Sequence, residues 1–201
     1  MNLYNLDCLD KLKEYCDNHF DLAICDPPYG LAQAGAYTHI SGKRKLYHDK
    51  MEKWDTRPTQ EYFDEVRRVS KNQLFFGMNY FSEMLPPTRN FVVWDNCNRG
   101  LSFSQAELIW GSFKQMSKVI KISSRQKNRI HRCQKPVALY KWILETYSSK
   151  NEKILDTHLG SGSIVLACLE LGFNDFTGFE INKEYFEACI NRIETYKEQA
   201  G

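Results

Sequence analysis

Short apolar runs alternate with stretches of helical period along most of the chain. Runs that are rich in apolar, aromatic or β-branched residues and end in polar or turn residues predict strands at 20–25, 73–77, 90–95, 153–156 and 175–181. Apolar positions at helical spacing predict helices at 8–16, 59–70, 137–147, 163–171 and 183–196. This alternation is typical of parallel strands joined by crossover helices, so the sequence predicts an α/β fold.

The pattern between and beside these elements adds detail. Residues 106–122 predict two further strands, arranged as an antiparallel pair at the sheet edge. Pro58 and Pro136 suit the first turns of their helices, and Asn182 suits the N-cap of the last helix. The segment 30–57 has no clear period and is long for a connection in a compact domain, which predicts a functional or mobile loop. The 201 residues contain no repeat, so we expect a single domain, 1–201.

Composition excludes several classes of protein. No apolar run approaches the roughly 20 residues needed to cross a bilayer, and the N-terminus does not read as a signal peptide, so we expect a cytoplasmic protein. The seven cysteines are an odd number without a C-x-x-C pair, which argues against a disulfide framework and a zinc site. We expect reduced, mostly buried thiols and no metal.

A candidate catalytic motif, Asp26-Pro27-Pro28-Tyr29, directly follows the first predicted strand. It therefore lies at the carboxyl end of that strand, where open α/β sheets bind ligands. The two prolines lack N–H groups and leave a stiff turn with free carbonyls beside a carboxylate and a phenol ring. Acceptors at Asp26 and the Pro27 carbonyl can draw the delocalised lone pair of an exocyclic base amine back onto nitrogen. Tyr29 can hold a base that has been rotated out of duplex DNA.

A candidate cofactor site follows the predicted strand at 153–156. The glycine turn with Gly160 and Gly162 lets a ligand approach the backbone, the helix N-terminus at Ser163 can receive a carboxylate, and Glu180 can bind ribose hydroxyls. No G-K-[ST] sequence follows, and no glycine stands at the third glycine position of nicotinamide-dinucleotide sites. A methionine-containing nucleoside therefore fits better than a dinucleotide.

Three groups of residues carry a resemblance to a known family. Asp26-Pro27-Pro28-Tyr29, His131-Arg132-Cys133-Gln134-Lys135-Pro136, and 156–163 with Glu180 resemble the DNA amino-methyltransferases of the permuted beta class. In that class the catalytic motif precedes the cofactor motif, as it does here. Further motifs, at 76–81, 94–95 and 156–160, are most similar to compact members encoded by bacteriophages and mobile elements.

The resemblance also has departures. Arg132 and Cys133 stand where the family usually has Pro and Thr, and Asn96 stands where Lys is frequent. These departures affect local assignments and leave the class unchanged. Cys133, His158, Trp94 and Trp110 are interpreted as packing or loop residues and are left out of the catalytic site.

The resemblance implies a fold, an activity and a set of binding residues. The fold is a single Rossmann-like doubly wound sheet, permuted so that the catalytic motif precedes the S-adenosylmethionine-binding motif. The activity is methyl transfer from S-adenosylmethionine to N6 of adenine in double-stranded DNA, by base flipping and in-line displacement, in a restriction–modification setting. A homodimer is one option for the oligomeric state. The predicted cofactor-binding residues are Asp7, Cys8, Gln134, Lys135, Asp156, Gly160, Ser161, Gly162, Ser163 and Glu180.

Four alternatives remain open. N4-cytosine methylation has the same geometry, but members with that activity more often carry Ser or Thr in place of Asp26. Glutamine and ribosomal-RNA methyltransferases usually have Asn there and place the cofactor motif first. A catalytically silent DNA-binding subunit is disfavoured because Asp26 and Tyr29 are intact, and a nicotinamide oxidoreductase needs the missing third glycine.

Charge is unevenly distributed although the net charge is only +2. Residues 114–135 contain eight Lys or Arg residues and no acidic residue, and 43–45 form a second basic cluster. Solvated loops are the common interpretation of such runs. A polyanionic substrate favours phosphate contacts instead, and the predicted DNA-binding residues are Lys43, Arg44, Lys45, Lys121, Arg125, Lys127 and Arg129.

Overall fold

The computed structural model describes residues 1–31, 55–99, 104–131 and 133–200. The strands in these residues are β1 (Asn2–Tyr4), β2 (Phe20–Cys25), β3 (Ser70–Phe76), β4 (Asn90–Asp95), β5 (Ala106–Gly111), β6 (Lys118–Lys121), β7 (Ile154–Asp156) and β8 (Phe176–Phe179). The helices are α1 (Cys8–Leu12), α2 (Gln60–Val69), α3 (Val137–Tyr147), α4 (Ser163–Leu171) and α5 (Lys183–Ala200). A single 3-10 turn, Met78–Tyr80, follows β3.

The strands form one sheet in the order β1-β8-β7-β2-β3-β5-β4-β6. Strand β5 runs antiparallel to both β3 and β4, and the other pairings among these strands are parallel. The catalytic motif follows β2 and the glycine turn follows β7, and these two strands are neighbours. The sheet therefore brings two motifs that are far apart in sequence to one edge.

Helices cover both faces of the sheet. Successive residues of a strand point to opposite faces, so Leu22 and Ile24 contribute to one core while Ala23 and Cys25 contribute to the other. The first core is closed by α3, α4 and α5, and the second is closed by α1 and α2. This arrangement confirms the predicted α/β, doubly wound, Rossmann-like sheet.

The prediction of an antiparallel edge pair at 106–122 is wrong. Strand β5 lies inside the sheet between β3 and β4, whereas β6 forms the edge and pairs in parallel with β4. The physical reason is burial. The end of β5, from Ile109 to Gly111, is buried and needs a neighbour on each side, while Val119 in β6 is 75% exposed and a lysine stands at each end of that strand.

Most element boundaries agree with the sequence pattern, and some differ. Strands β2 and β4 and helices α3 and α4 have the predicted bounds, and Asn182 accepts a hydrogen bond from the Tyr185 amide at 3.1 Å as an N-cap does. Strand β1 was not predicted, and α1 ends at Leu12. Pro58 and Pro136 precede their helices instead of lying in the first turns, because α2 begins at Gln60 and α3 at Val137. None of the helices in the described ranges is long and apolar enough to cross a membrane.

Candidate active site

A cavity of about 1020 Å³ opens at the carboxyl ends of the central parallel strands. Its volume is at the upper end of the roughly 300–1,000 Å³ that is usual for small-molecule sites, which leaves room for more than one ligand. The whole catalytic motif lines it, together with much of the glycine turn. The fold thus joins the two predicted motifs in one site.

Two donors hold the carboxylate of Asp26. The Tyr29 hydroxyl donates to Oδ1 at 2.8 Å, and Lys135 Nζ donates to Oδ2 at 2.6 Å. Lys135 is only 6% exposed. Burial acts to lower the pKa of Lys135, but the neighbouring carboxylates of Asp26 and Glu107 outweigh it, so the net shift is upward and the ammonium form is retained. Asp26 is therefore the acceptor in a small, charged hydrogen-bond network.

The prolines have the surroundings that the sequence predicts. Both line the cavity, and no hydrogen bond to the Pro27 carbonyl is found within the described part of the chain. The Pro27 carbonyl and the Asp26 carboxylate belong to consecutive residues. The turn can therefore offer two acceptors to one incoming amine.

The Tyr29 ring is fixed by its neighbours. Tyr80 stacks on it with ring centroids 4.8 Å apart and an interplanar angle of 20°, and Phe81 contacts it edge-on. Gly77 has a positive φ of 74°, and a Cβ there would lie 2.5 Å from the Tyr29 ring. Burial, followed by the nearby carboxylates, raises the pKa of Tyr29 well above its usual value, so its hydroxyl stays protonated and donates.

Glu107 is a site residue that sequence reasoning missed. It lies in β5 and lines the cavity, with Oε2 3.3 Å from Lys135 Nζ and 3.4 Å from the Tyr29 hydroxyl. Burial raises the pKa of Glu107, opposed by the charge of Lys135. The available signal was an acidic residue in an otherwise apolar strand, but its relevance depends on β5 lying inside the sheet.

Glu180 joins the glycine turn to the end of β8. Its Oε2 accepts a hydrogen bond from the Gly160 amide at 2.9 Å, and its Oε1 accepts one from the Asn182 amide at 2.8 Å. Burial raises the pKa of Glu180, and the two amides oppose that shift. Each oxygen keeps a lone pair for a ligand hydroxyl. Ile181 adds an exposed apolar surface beside it.

Gly160 and Gly162 have different surroundings. Gly160 lines the cavity, and a Cβ there would meet its nearest atom, on the His131 ring, at 3.6 Å. Gly162 lies outside the lining; its φ is 69°, and a Cβ there would lie 2.4 Å from Cys189 Sγ in α5. The structure therefore supports close ligand approach at Gly160 and close helix packing at Gly162.

The other predicted cofactor residues divide into two groups. Those that line the cavity with Gly160 are Gln134, Lys135, Ser161, Ser163 and Glu180. Asp7, Cys8 and Asp156 lie outside the lining. Asp7 caps α1 by accepting from the Leu9 amide at 2.9 Å, Cys8 is buried against the second core, and Asp156 accepts from the His158 amide at 2.9 Å.

The histidines of the site are half-buried. Burial lowers the pKa of His131 and of His158 to about 4, so both rings are neutral at neutral pH. Both line the cavity. His158 Nδ1 lies 2.9 Å from the Thr157 hydroxyl, and the His131 ring contacts the Tyr185 ring edge-on. These contacts give the two rings packing roles in the cavity wall.

The cysteine and tryptophan residues behave mostly as predicted. All seven cysteines are free, and four of them are buried. Trp94 and Trp110 are core residues whose ring N–H groups donate to the carbonyls of Ile122 and Pro86. Cys133, interpreted as a packing or loop residue, is exposed and lines the cavity. No group of three or more residues able to hold a metal ion occurs in the described parts of the chain.

Several described residues of the basic segment between 124 and 135 line the cavity. Gln126 and Gln134 pin it by reciprocal hydrogen bonds of 2.9 Å. Arg125 and Arg129 line the cavity, whereas Lys121 and Lys127 are exposed outside the lining. The remaining basic residues of the prediction, Lys43, Arg44, Lys45 and the nearby Arg132, lie outside the described residues.

The two ends of the predicted loop 30–57 meet beside the cavity. The Gly30 amide donates to Asp55 Oδ1 at 2.9 Å, and Leu31 and Asp55 both line the cavity. Residues 32–54, between these ends, lie outside the described part. The described residues on both sides of this segment therefore lie at the cavity.

The sequence is similar to those of known methyltransferases. Residues 92–191, about half of the chain, match the family model described as DNA methylase. The type II methyltransferase M.HpaI of Haemophilus parainfluenzae is 22% identical over 94% of this chain and 73% of its own length.

Solved structures show the same fold. The M1.HpyAVI–SAM complex matches with a TM-score of 0.62 at 19% identity, covering 96% of this chain and 98% of that chain. The cytosine-N4-specific PvuII DNA methyltransferase matches with a TM-score of 0.63 at 14% identity, covering 94% and 85%. The DNA methylase model and the relative that matches 94% of this chain agree with the two motifs at one sheet edge, and the chain belongs to the DNA methylase family.

Proposed function

We propose that the protein transfers a methyl group from S-adenosylmethionine to N6 of adenine in double-stranded DNA. The observation that carries this proposal is the position of Asp26, whose carboxylate faces the cavity close to the glycine turn and beside the Pro27 carbonyl, which accepts no hydrogen bond from the described residues. Two adjacent acceptors suit an exocyclic amine, which has two N–H groups to donate. Asp26, in place of Ser or Thr, favours adenine over cytosine.

The described residues fit S-adenosylmethionine. Glu180 presents a carboxylate with free lone pairs for the ribose hydroxyls, Ile181 presents apolar surface for the adenine ring, and Gly160 leaves space above the turn. When bound, this cofactor supplies a methyl group on a positively charged sulfur. Family membership and the fold shared with a SAM-bound relative support the same assignment.

The residues of this chain have separate tasks in the reaction. Asp26 and the Pro27 carbonyl accept the two N–H groups of the amine, which localises the nitrogen lone pair and directs it away from the acceptors. Tyr29 orients Asp26 through the 2.8 Å hydrogen bond to Oδ1. After transfer the amine releases one proton, and Asp26 is the nearest carboxylate to receive it.

The target base must leave the duplex to reach this acceptor pair, because the amine is otherwise buried in the base stack. The cavity is large enough to hold a base beside the cofactor site. Arg125 and Arg129 lie at its mouth, where they can contact the phosphates that flank the flipped nucleotide. Base flipping is therefore part of the proposal.

The proposal is tested by incubating the protein with labelled S-adenosylmethionine and unmodified duplex DNA and then separating the nucleosides. We expect the label in N6-methyldeoxyadenosine. Label in N4-methylcytosine would instead support the second candidate function, methylation of cytosine at N4. The fold shared with the cytosine-N4-specific PvuII enzyme favours this candidate. Absence of transfer despite cofactor binding would contradict the proposed activity and point to a silent DNA-binding subunit.

A further inference from the structure

Glu107 stands opposite the catalytic motif without belonging to either predicted motif. It is contributed by β5, which enters the sheet antiparallel between β3 and β4. Its Oε2 lies 3.3 Å from Lys135 Nζ and 3.4 Å from the Tyr29 hydroxyl. A second carboxylate therefore contacts both groups that donate to Asp26.

Lys135 lies between the two carboxylates. Its Nζ is 2.6 Å from Asp26 Oδ2 and 3.3 Å from Glu107 Oε2, and it also lies over the rings of Phe76 and Tyr29 at 5.1 and 5.7 Å. The side chain is 6% exposed, so water cannot replace a lost ion pair. The ammonium needs a carboxylate at every stage of a reaction in this site.

Both oxygens of Asp26 already accept a hydrogen bond, one from Tyr29 and the other from Lys135. A substrate amine that donates to Asp26 must compete with the ammonium, which is the stronger donor because it is charged. If Lys135 had no second partner, its release would leave an unpaired buried charge and would be strongly disfavoured. Glu107 lies where it can pair with the Lys135 ammonium after its release from Asp26.

We propose that Glu107 receives the Lys135 ammonium when the substrate amine binds to Asp26, so that Lys135 exchanges between two carboxylates. Glu107 is then a positioning residue that acts through Lys135. This inference rests on the proposed methyl transfer. It extends that proposal by giving Lys135 a task other than cofactor contact and by assigning a role to a residue outside both motifs.

The exchange needs Glu107 to be ionised. Among the described residues, Lys135, Asp26, Tyr29 and Tyr140 face it, and His131 faces Asp26 and Lys135. Burial and the charge of Asp26 raise the pKa of Glu107, while Lys135 lowers it, with a net upward shift. Protonation of Glu107 should therefore slow the reaction at a higher pH than an ordinary glutamate would.

The test compares Glu107→Gln with the wild type in methyl transfer to duplex DNA across a pH series. Gln keeps the size of the side chain but cannot pair with an ammonium as a carboxylate does. We expect kcat to fall about tenfold or more, with an unchanged Kd for S-adenosylmethionine, since one charged hydrogen bond is worth at least about that factor. We also expect the acidic limb of the kcat profile to disappear or to move to lower pH.

Two further variants sharpen the result. Glu107→Asp keeps the charge, and its rate should lie between those of the wild type and Glu107→Gln. Glu145→Gln changes an exposed glutamate of α3 and should leave kcat and the profile unchanged.

The outcomes separate this inference from the proposed function. A Glu107→Gln variant with the wild-type rate and profile overturns the exchange alone, as does one whose loss of activity follows a loss of thermal stability or cofactor binding. If the wild-type protein itself transfers no methyl group to DNA, the proposed function fails and the inference fails with it.

Discussion

Three carboxylates near the glycine turn and the catalytic motif have different surroundings. Asp26 is held by a phenol and an ammonium, Glu180 by two backbone amides, and Asp156 is 1% exposed and accepts one amide, from His158. The negative charge of Asp26 is therefore neutralised by an ammonium, and that of Glu180 is stabilised by two amide dipoles. A negative charge on Asp156 would have only one amide to stabilise it. These differences lead to separate predictions for the three residues.

The buried carboxyl of Asp156 should make stability depend on pH. Burial raises its pKa to about 8, against about 3.9 for an unfolded chain. Between those pH values the native state holds a proton that the unfolded state has released, so stability should fall as pH rises through this range. Asp156→Asn keeps an oxygen for the His158 amide and removes the titration, so its urea-unfolding free energy should vary less with pH.

An exposed aspartate provides the control for this measurement. Asp175→Asn should retain the pH dependence of the wild type, because its side chain lies at the surface. If Asp156→Asn and the wild type show the same slope of stability against pH, burial does not hold Asp156 in its protonated form.

Glu180→Gln should weaken the binding of S-adenosylmethionine. Both carboxylate oxygens accept backbone amides, and an amide side chain can accept only through its one oxygen. The variant should therefore lose one charged hydrogen bond to a ribose hydroxyl, which predicts that the Kd measured by calorimetric titration rises about tenfold to a hundredfold. Glu184→Gln, an exposed change in the first turn of α5, should leave the Kd unaltered. Equal affinity of Glu180→Gln and the wild type would remove Glu180 from the cofactor site.

At the scale of elements, the apolar pattern along the chain predicted those strands and helices whose buried positions follow a regular period. Strands β2 and β4 and helices α3 and α4 have the predicted bounds. The pairing of β5 with β3 joins residues more than 30 positions apart, such as Phe75 and Trp110, and no local period encodes that choice. The missed position of β5 is also why Glu107 was missed.

The glycine turn is an element whose sequence requirement comes from packing as well as from ligand space. Arg192 of α5 donates to the Ser161 carbonyl at 2.8 Å and to the Ser163 hydroxyl at 3.0 Å. Cys189, also in α5, occupies the space where a side chain at Gly162 would begin. Two residues of α5 that do not line the cavity therefore support the turn.

Gly162→Ala should destabilise the protein in two separable ways. The positive φ of 69° costs an alanine about 1 kcal/mol, and contact with Cys189 Sγ adds roughly 1–3 kcal/mol of overpacking. Combining it with Cys189→Ala should recover the overpacking part, which a double-mutant cycle of denaturant unfolding measures. Strictly additive effects of the two changes would contradict the proposed contact.

At the scale of the whole molecule, the distribution of charge complements the position of the cavity. The net charge is small, yet Arg125 and Arg129 line the cavity, as do Leu31 and Asp55, the described residues on either side of the segment that contains the second basic cluster. The sequence predicted both basic regions. It could not tell which of their members reach the cavity, because that depends on how the Gln126–Gln134 pair folds the segment back.

Arg125→Ala and Arg129→Ala should each weaken binding to duplex DNA and reduce the slope of log K against log salt by about 1. The effect should be similar for all DNA sequences, because phosphate contacts carry no base information. Lys150→Ala, at an exposed site before β7 and away from the cavity, is the matched control. Unchanged salt slopes in both arginine variants, measured by fluorescence anisotropy, would remove the segment from the DNA interface.

The central claim is that Asp26 activates the substrate amine, and single-turnover methyl transfer by Asp26→Asn tests it most directly. Lys135 keeps Glu107 as a partner at 3.3 Å in this variant, so the fold and cofactor binding should persist. With S-adenosylmethionine and DNA both saturating, we predict a rate about a hundredfold to a thousandfold below that of the wild type, as expected for loss of one preorganised group in a transition state. A variant that binds both ligands and transfers the methyl group at the wild-type rate would contradict the claim.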